Sequence, residues 1–224
     1  MDPLSYQEAM DRVTAAAERS GREVTDVTVV AVSKTFGPEA IRTVHQFGHR
    51  DFGENRAQEL ADKAPQLPGD IRWHFVGSLQ SNKVGLVRGL THLLHSMDRL
   101  SLAEAWMKGR GLAPPVLLEV NIGAEPQKSG VSPDGAEEAL EEMLGLGVDV
   151  RGLMVIPPIP ERPEDSRPHF ARLREIRDRL ALIHPRVREL SMGMSDDFEV
   201  AIEEGSTIIR IGRAIFGPRN PTGA

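Results

Sequence analysis

Lys34 closes the run Val-Val-Ala-Val-Ser-Lys, a lysine standing where a short apolar strand gives out. An amine placed there and partly buried loses hydration of its charged form. Its pKa falls, and it becomes able to attack an aldehyde. Taken alone, a strand-end lysine reaching into solvent explains it as well. Near the other end of the chain, Met194, Ser195 and a following helical stretch succeed a short strand, and Arg210, Gly212 and Arg213 sit in and just after another. Glycines there let a backbone approach a phosphate closely, helix-start N–H groups point donors at its oxygens, and Ser195 adds a hydroxyl. Ser195 capping a helix and Gly212 merely turning the chain remain open. Arg210, among Ile208, Ile209 and Ile211, needs an acceptor, because an unpaired buried guanidinium is costly. A structural carboxylate is one candidate for that role.

The elements that must carry these residues alternate between strand and helix. An N-terminal helix shows Tyr6, Met10, Val13 and Ala17 at helical spacing, with Ser5 and Glu8 as a capping box. Strands are expected at Val27–Val32, Asp51–Gly53, Ile71–Val76, His92–Ser96, Val116–Ile122, Val150–Ile156, Glu189–Met192 and Thr207–Ile211. A helix opens at Pro38 with Ile41, Val44 and Phe47 as its buried stripe, and the plainest later helix carries Phe170, Leu173, Ile176 and Leu180. About eight strand–helix units is the count of a closed (β/α)8 TIM-type barrel, whose active sites gather at the carboxyl ends of the strands. The alternative is an open doubly wound sheet. Against it, no glycine-rich dinucleotide fingerprint follows the first strand, and chemical residues recur after many strands. The proline-rich, charged segment from Pro157 to Pro168 is expected to be a surface loop.

Composition narrows the possible functions. The chain has 224 residues, 40% hydrophobic and 27% charged, which suits one barrel domain over residues 1–224. With no cysteine there is no disulfide, thiolate metal site or cysteine nucleophile, as fits a reducing cytoplasm. A net charge of −6 gives no electrostatic reason to bind nucleic acid or an anionic membrane. No apolar run approaches the ~20 residues of a membrane span, and acidic residues interrupt the N-terminus where a signal peptide would be apolar. His45, His49, His92, His95, His169 and His184 lack tight metal-ligand spacing, and Glu137, Glu138, Glu141 and Glu142 read as a solvated helix face.

Eight blocks, in order, carry a resemblance: Ala31-Val-Ser-Lys34-Thr, Phe52-Gly-Glu-Asn55, Trp73-His74-Phe-Val-Gly77, Leu79-Gln-Ser-Asn82-Lys83, Lys128-Ser-Gly130, Gly152-Leu-Met154, Ser191 to Asp197, and Arg210 to Gly217. Together they resemble the pyridoxal phosphate homeostasis protein family, also called the proline synthetase co-transcribed family. The resemblance implies a barrel like the N-terminal barrel of alanine racemase. It implies pyridoxal 5′-phosphate as a Schiff base on Lys34, with Arg210 facing the pyridine nitrogen. Ser195, Gly212 and the backbone N–H of Arg213 would hold the phosphate, and Asn55, His74 and Met194 lie in blocks expected to line the pocket. His74 is read equally well as a strand histidine satisfied within the fold. At two places the chain departs from the family: Arg213 replaces a usual small hydroxyl residue, and Arg56 stands where tyrosine is common.

Three functions compete. The first is a cofactor-binding protein that stores, buffers or delivers pyridoxal phosphate, acting as a monomer with apo-enzymes as recipients. The second is an amino-acid racemase using Lys34 as a base, although the single tyrosine, Tyr6, lies at the extreme N-terminus and the chain ends soon after the last strand. An arginine at the pyridine nitrogen also disfavours the protonated ring that drives such chemistry. The third is a barrel for another phosphorylated metabolite, which leaves the lysine block unexplained.

Overall fold

The computed structural model describes residues 3–217. Its eight strands are β1 (Thr28–Val32), β2 (Asp51–Glu54), β3 (Arg72–Phe75), β4 (Thr91–Met97), β5 (Val116–Glu119), β6 (Val150–Met154), β7 (Glu189–Ser191) and β8 (Ile208–Ile211). All pair in parallel, and β1 pairs with β8 to close the barrel, with Val30 opposite Arg210 and Ala31 opposite Ile211. The helices are α1 (Pro3–Arg19), α2 (Pro38–Gln46), α3 (Ala57–Lys63), α4 (Val84–Val87), α5 (Leu100–Met107), α6 (Ala136–Gly145), α7 (Arg167–Ile183), α8 (Phe198–Glu203) and α9 (Arg213–Phe216). The closed barrel and its leading helix are thus as the sequence predicts, and the open sheet is excluded.

Period-two alternation sorts each strand into two faces. Ala31, Phe52, Trp73, Phe75, Leu94, Leu118, Leu153, Leu190, Ile209 and Ile211 join the large core between sheet and helices. Val30, Val32, Leu93, Leu117, Met154 and Ile208 form a second cluster inside the barrel. The same alternation turns Asp51, His74, His95, Glu119, Ser191 and Arg210 inward, so the barrel lumen is unusually polar for a packed core. Phe52, Phe75, Phe170, Phe198 and Trp106 are fully buried in the outer layer, and each such side chain contributes roughly 1.5–3 kcal/mol.

Three local expectations need correction. Ser5 lies inside α1, which starts at Pro3, so the Ser5–Glu8 capping box does not form the helix start. Phe47 follows α2 and is 42% exposed, because it stacks on Tyr6 (ring centroids 5.3 Å apart) instead of entering the core. Several strands end earlier than predicted, β5 at Glu119 and β6 at Met154, since the following residues bend into loops above the barrel. The segment after Pro157 is a loop with a short 3-10 turn at Pro163–Ser166, leading into α7. Helix α1 covers α8 and α9; Arg12 lies over the Phe198 ring at 4.7 Å and pairs with Glu199 at 3.2 Å.

Candidate functional site

Lys34 follows β1 at the carboxyl end of the barrel, half-buried, on a tightly held backbone. The preceding Ser33 is fully buried: its N–H donates to the Gly53 carbonyl at 2.9 Å, and its hydroxyl donates to Glu54 at 2.7 Å. The Lys63 ammonium donates to the Ser33 carbonyl at 3.0 Å and to Glu54 at 2.7 Å. The following residue, Thr35, holds φ at +69°, a left-handed conformation rare for a β-branched residue. Strain of this kind persists only where surroundings fix it, and it clusters at functional sites.

A cavity of about 560 Å³ opens beside Lys34. It brings together Lys34, Asn55, Met194, Ser195, Arg210, Gly212 and Arg213, seven of the eight residues singled out from sequence. Two close backbone approaches shape it. A Cβ on Gly77 would lie 2.2 Å from the Asn55 carbonyl oxygen, and one on Gly212 would lie 2.9 Å from the Val32 carbonyl oxygen. Both distances admit only glycine, so the ends of β2 and β3, and of β1 and β8, meet around the cavity. The Asn55 side-chain carbonyl oxygen is buried without a hydrogen-bond partner. Arg213, the first residue of α9, pairs its guanidinium with Asp196, and both line the cavity beside Gly212.

Arg210 is 5% exposed and forms no ion pair among the described residues. Its guanidinium donates to the Ser191 hydroxyl at 2.5 Å and to the Val155 carbonyl at 2.9 Å. Burial pulls its pKa down to about 10, against the more distant negative charges of Glu119 and Asp197. The structural carboxylate that sequence offered as its partner is therefore not in contact. A buried cation satisfied only by neutral acceptors is poised for a further lone pair or anion.

His74 does not join this cavity. It sits inside the barrel, 2% exposed, with Nε2 3.0 Å from Asp51 and Nδ1 2.9 Å from Nε2 of His95. It opens instead on a second cavity at the amino ends of the strands. Its ring is held toward Asp51, the first residue of β2, and so faces the amino-end mouth. His95 in turn contacts the Ser191 hydroxyl through Nδ1 at 2.8 Å. Burial, then the neighbouring His74 and Arg210 charges, push the His95 pKa well down, which keeps this ring neutral.

Sequence reasoning missed Glu119. At the end of β5 it is 6% exposed and lines a small cavity sharing Val76, Gly77 and Ile156 with the one beside Lys34; its carbonyl accepts from the Val131 N–H at 2.9 Å, while its carboxylate takes part in no side-chain hydrogen bond among the described residues. Burial, reinforced by Asp98 and opposed by Arg210, pushes its pKa up to about 7. Nothing in its local sequence, Leu-Leu-Glu-Val, separates it from a strand-end glutamate reaching solvent. The Ser33–Glu54–Lys63 cluster was equally silent, because Lys63 lies on a helix 29 residues from Lys34 in the chain.

The strand ends thus define a closed parallel barrel with a cavity bearing Lys34 at its carboxyl face. The sequence profile of the alanine racemase N-terminal domain family matches residues 9–220. At 47% identity the chain is similar to the pyridoxal phosphate homeostasis protein of Aquifex aeolicus, an alignment covering 94% of this chain and 95% of that one. Two solved structures are similarly close. A protein of unknown role from Bifidobacterium adolescentis is 36% identical, with a TM-score of 0.90 over 96% of this chain and 97% of that one. PipY of Synechococcus elongatus, solved with pyridoxal phosphate bound, is 35% identical, with a TM-score of 0.79 over 93% and 99%. The chain belongs to the pyridoxal phosphate homeostasis protein family.

Proposed function

We propose that this protein binds pyridoxal 5′-phosphate in the cavity beside Lys34 and holds it for storage, buffering or delivery to apo-enzymes in the cytoplasm, without robust catalysis. The observation that carries the reading is the convergence on one cavity of Lys34, the unpartnered Asn55 oxygen and the buried, carboxylate-free Arg210. Bound there, the cofactor supplies an aldehyde that the Lys34 amine takes up as a Schiff base. Arg210 faces the ring nitrogen and holds it unprotonated, since a second positive charge beside a buried guanidinium is unfavourable. Ser195 and the backbone at Gly212 and Arg213 receive the phosphate, with Met194 and Asn55 flanking the ring.

The fit is chemical as well as spatial. A cavity of about 560 Å³ suits a cofactor-sized ligand. Retention requires only an amine and a phosphate cradle. Turnover requires a second proton donor opposite Lys34, and Tyr6 cannot supply it: its hydroxyl lies 3.3 Å from His49, ahead of β2 and at the far end of the barrel. We read the protein as a single-domain monomer on the same grounds, since one barrel contains the whole proposed site.

Borohydride reduction of the purified, yellow protein, followed by peptide mapping, should place the adduct on Lys34. An adduct confined to other lysines overturns the assignment. One observation favours a second reading, an amino-acid racemase: Glu119, titrating near neutrality beside the cavity, is a candidate proton donor. Chiral chromatography across the proteinogenic amino acids separates the two. Turnover dependent on both Lys34 and Glu119, well above that of free cofactor, establishes the enzyme instead of the carrier.

A further inference from the structure

The barrel has a second cavity at its opposite mouth, about 590 Å³ in volume, at the amino ends of the strands. Its wall carries four arginines, Arg72, Arg151, Arg186 and Arg188, against two carboxylates, Asp51 and Glu189. Two of the arginines are already engaged: Arg72 binds Asp51 and Arg151 binds Asp149 at 2.8 Å. Among the described residues the Arg188 side chain reaches only the Pro185 carbonyl, and Arg186 lies 3.9 Å from Asp149 with its side chain 71% exposed. The four guanidinium groups thus meet three carboxylates, Asp51, Asp149 and Glu189; Arg186 is held only at 3.9 Å, and Arg188 forms no ion pair among the described residues. Planar, permanently charged forks of this kind match phosphate and carboxylate oxygens, and clustered like charge raises the local anion concentration.

The floor of this cavity is the end of a hydrogen-bonded chain that runs through the lumen to Arg210. Its links are Arg210 to Ser191 (2.5 Å), Ser191 to His95 (2.8 Å), His95 to His74 (2.9 Å) and His74 to Asp51 (3.0 Å). When both imidazoles are neutral, the chain has one direction. An ionised Asp51 only accepts, so His74 donates through Nε2–H and accepts at Nδ1 from His95 Nε2–H. His95 Nδ1 then accepts the Ser191 hydroxyl proton, and Ser191 oxygen accepts from Arg210. Every donor points from the Lys34 side of the barrel to the opposite mouth, so each bond polarises the next in the same sense.

We infer that this mouth is a binding site for a small organic dianion, a phosphate ester or a dicarboxylate, and that its occupancy alters the cofactor site through the Asp51–His74–His95–Ser191–Arg210 chain. The dianion sits on Arg186 and Arg188 and draws the half-exposed Arg72 off Asp51. The carboxylate, having lost a donor, then pulls harder on His74, and the change passes link by link to Arg210. The binding half of this inference stands by itself. The coupling half rests on the reading of Arg210 given under Proposed function.

Isothermal titration with pyrophosphate, inorganic phosphate and succinate tests the site on protein stripped of cofactor, and again on the loaded protein. Saturable binding of pyrophosphate or succinate is expected, weakened about tenfold or more by Arg188→Glu, as befits loss of a charge-assisted pair, and unchanged by Ser195→Ala. Preference for pyrophosphate over succinate identifies the ligand as a phosphate ester; the reverse identifies a dicarboxylate. Binding that survives Arg188→Glu but is displaced by pyridoxal phosphate assigns the anion to the cofactor's phosphate cradle and overturns the second site, as does failure of all three probes to bind. The coupling is read from cofactor absorbance and affinity. Reciprocity requires that anion and cofactor change each other's affinity by the same factor, about threefold to tenfold, and that Ser191→Ala abolish this factor while leaving anion binding intact. Equal anion affinity with and without cofactor overturns the coupling and leaves the site. If the protein takes up no cofactor at all, the titration of the stripped protein still decides the mouth.

Discussion

The two mouths of the barrel handle polar groups in opposite ways. At the amino end, Asp51 is gripped by Arg72 and His74, and Arg151 by Asp149. Burial would raise the Asp51 carboxyl, but the hydrogen bonds from Arg72 and His74 outweigh it and hold it far below the usual carboxylate range. At the carboxyl end, among the described residues, Arg210 lacks a carboxylate, Asn55 leaves a buried oxygen unpaired, and the Glu119 carboxylate makes no side-chain hydrogen bond. A fold that satisfies one mouth's inner ring and leaves the other's open has reserved the second for something outside the chain. The cost of those open groups falls on stability, and a ligand recovers it.

The sharpest way to break this contrast is Lys34→Ala. It should abolish covalent cofactor entirely, with far-UV circular dichroism unchanged, as measured by absorbance and intact mass after borohydride. Persisting colour with a reduced adduct would place the reactive amine elsewhere. Next in size is the phosphate cradle. Ser195→Ala removes a hydrogen bond to an anion, worth roughly 1.5–3 kcal/mol, so cofactor retention in dialysis should weaken by about ten- to a hundredfold. Arg210→Glu should favour a protonated ring and shift the absorbance band, and a wild-type spectrum would show that the ring is oriented otherwise.

Stability against pH tests the open groups directly. Glu119 has its folded pKa raised to about 7, above its unfolded value. Its neutral form therefore favours the fold fully below the unfolded pKa, and that contribution is lost as pH rises through about 7. Glu119→Gln should leave stability at acid pH nearly unchanged and raise it at pH near 8 by about 2 kcal/mol, read from urea midpoints. A variant whose pH profile parallels the wild type would mean that Glu119 is already paired. The smallest effect belongs to the satisfied mouth. Asp51, with its pKa depressed, contributes stability above its unfolded pKa and loses it as pH falls toward the folded one. Arg72→Ala should move acid unfolding to higher pH at a cost of about 1 kcal/mol near neutrality, since the Arg72 side chain is half exposed and solvent screens the pair.

What could be read from the sequence followed from periodicity. Apolar stretches such as Val29–Val32, and Ile208–Ile211 broken only by Arg210, mark strands buried on both faces, and eight strands alternating with helices leave few topologies. Seven of the eight named site residues fall around one cavity because six follow strand ends and the seventh, Arg210, points inward from β8, where the fold gathers them. His74 went astray because a block that resembles a family says which residues recur, not which layer of the lumen each side chain reaches. Strand alternation turns it inward, but the mouth it faces is decided by its contact with Asp51, 23 residues away in the chain. Glu119 and the His74–His95 contact were hidden for another reason. Their significance lies in partners 21 or more residues away, or in the lack of one, and neither leaves a local signature.

The clamp behind Lys34 bears on chemical selectivity. Aldehydes condense with amines that offer a lone pair, and cells contain many reactive carbonyl compounds besides any cofactor. Lys63 approaches the backbone immediately before Lys34, yet it donates to Glu54 and to the Ser33 carbonyl, lies 3.7 Å from Glu59, and has a side chain only 9% exposed. It is thereby removed from competition as a nucleophile, while still fixing the strand end from which Lys34 projects. Two lysines share one corner of the barrel, one immobilised by its bonds to Glu54 and the Ser33 carbonyl and the other lining the cavity. Small aldehydes diffusing into that corner should therefore label position 34 and spare position 63.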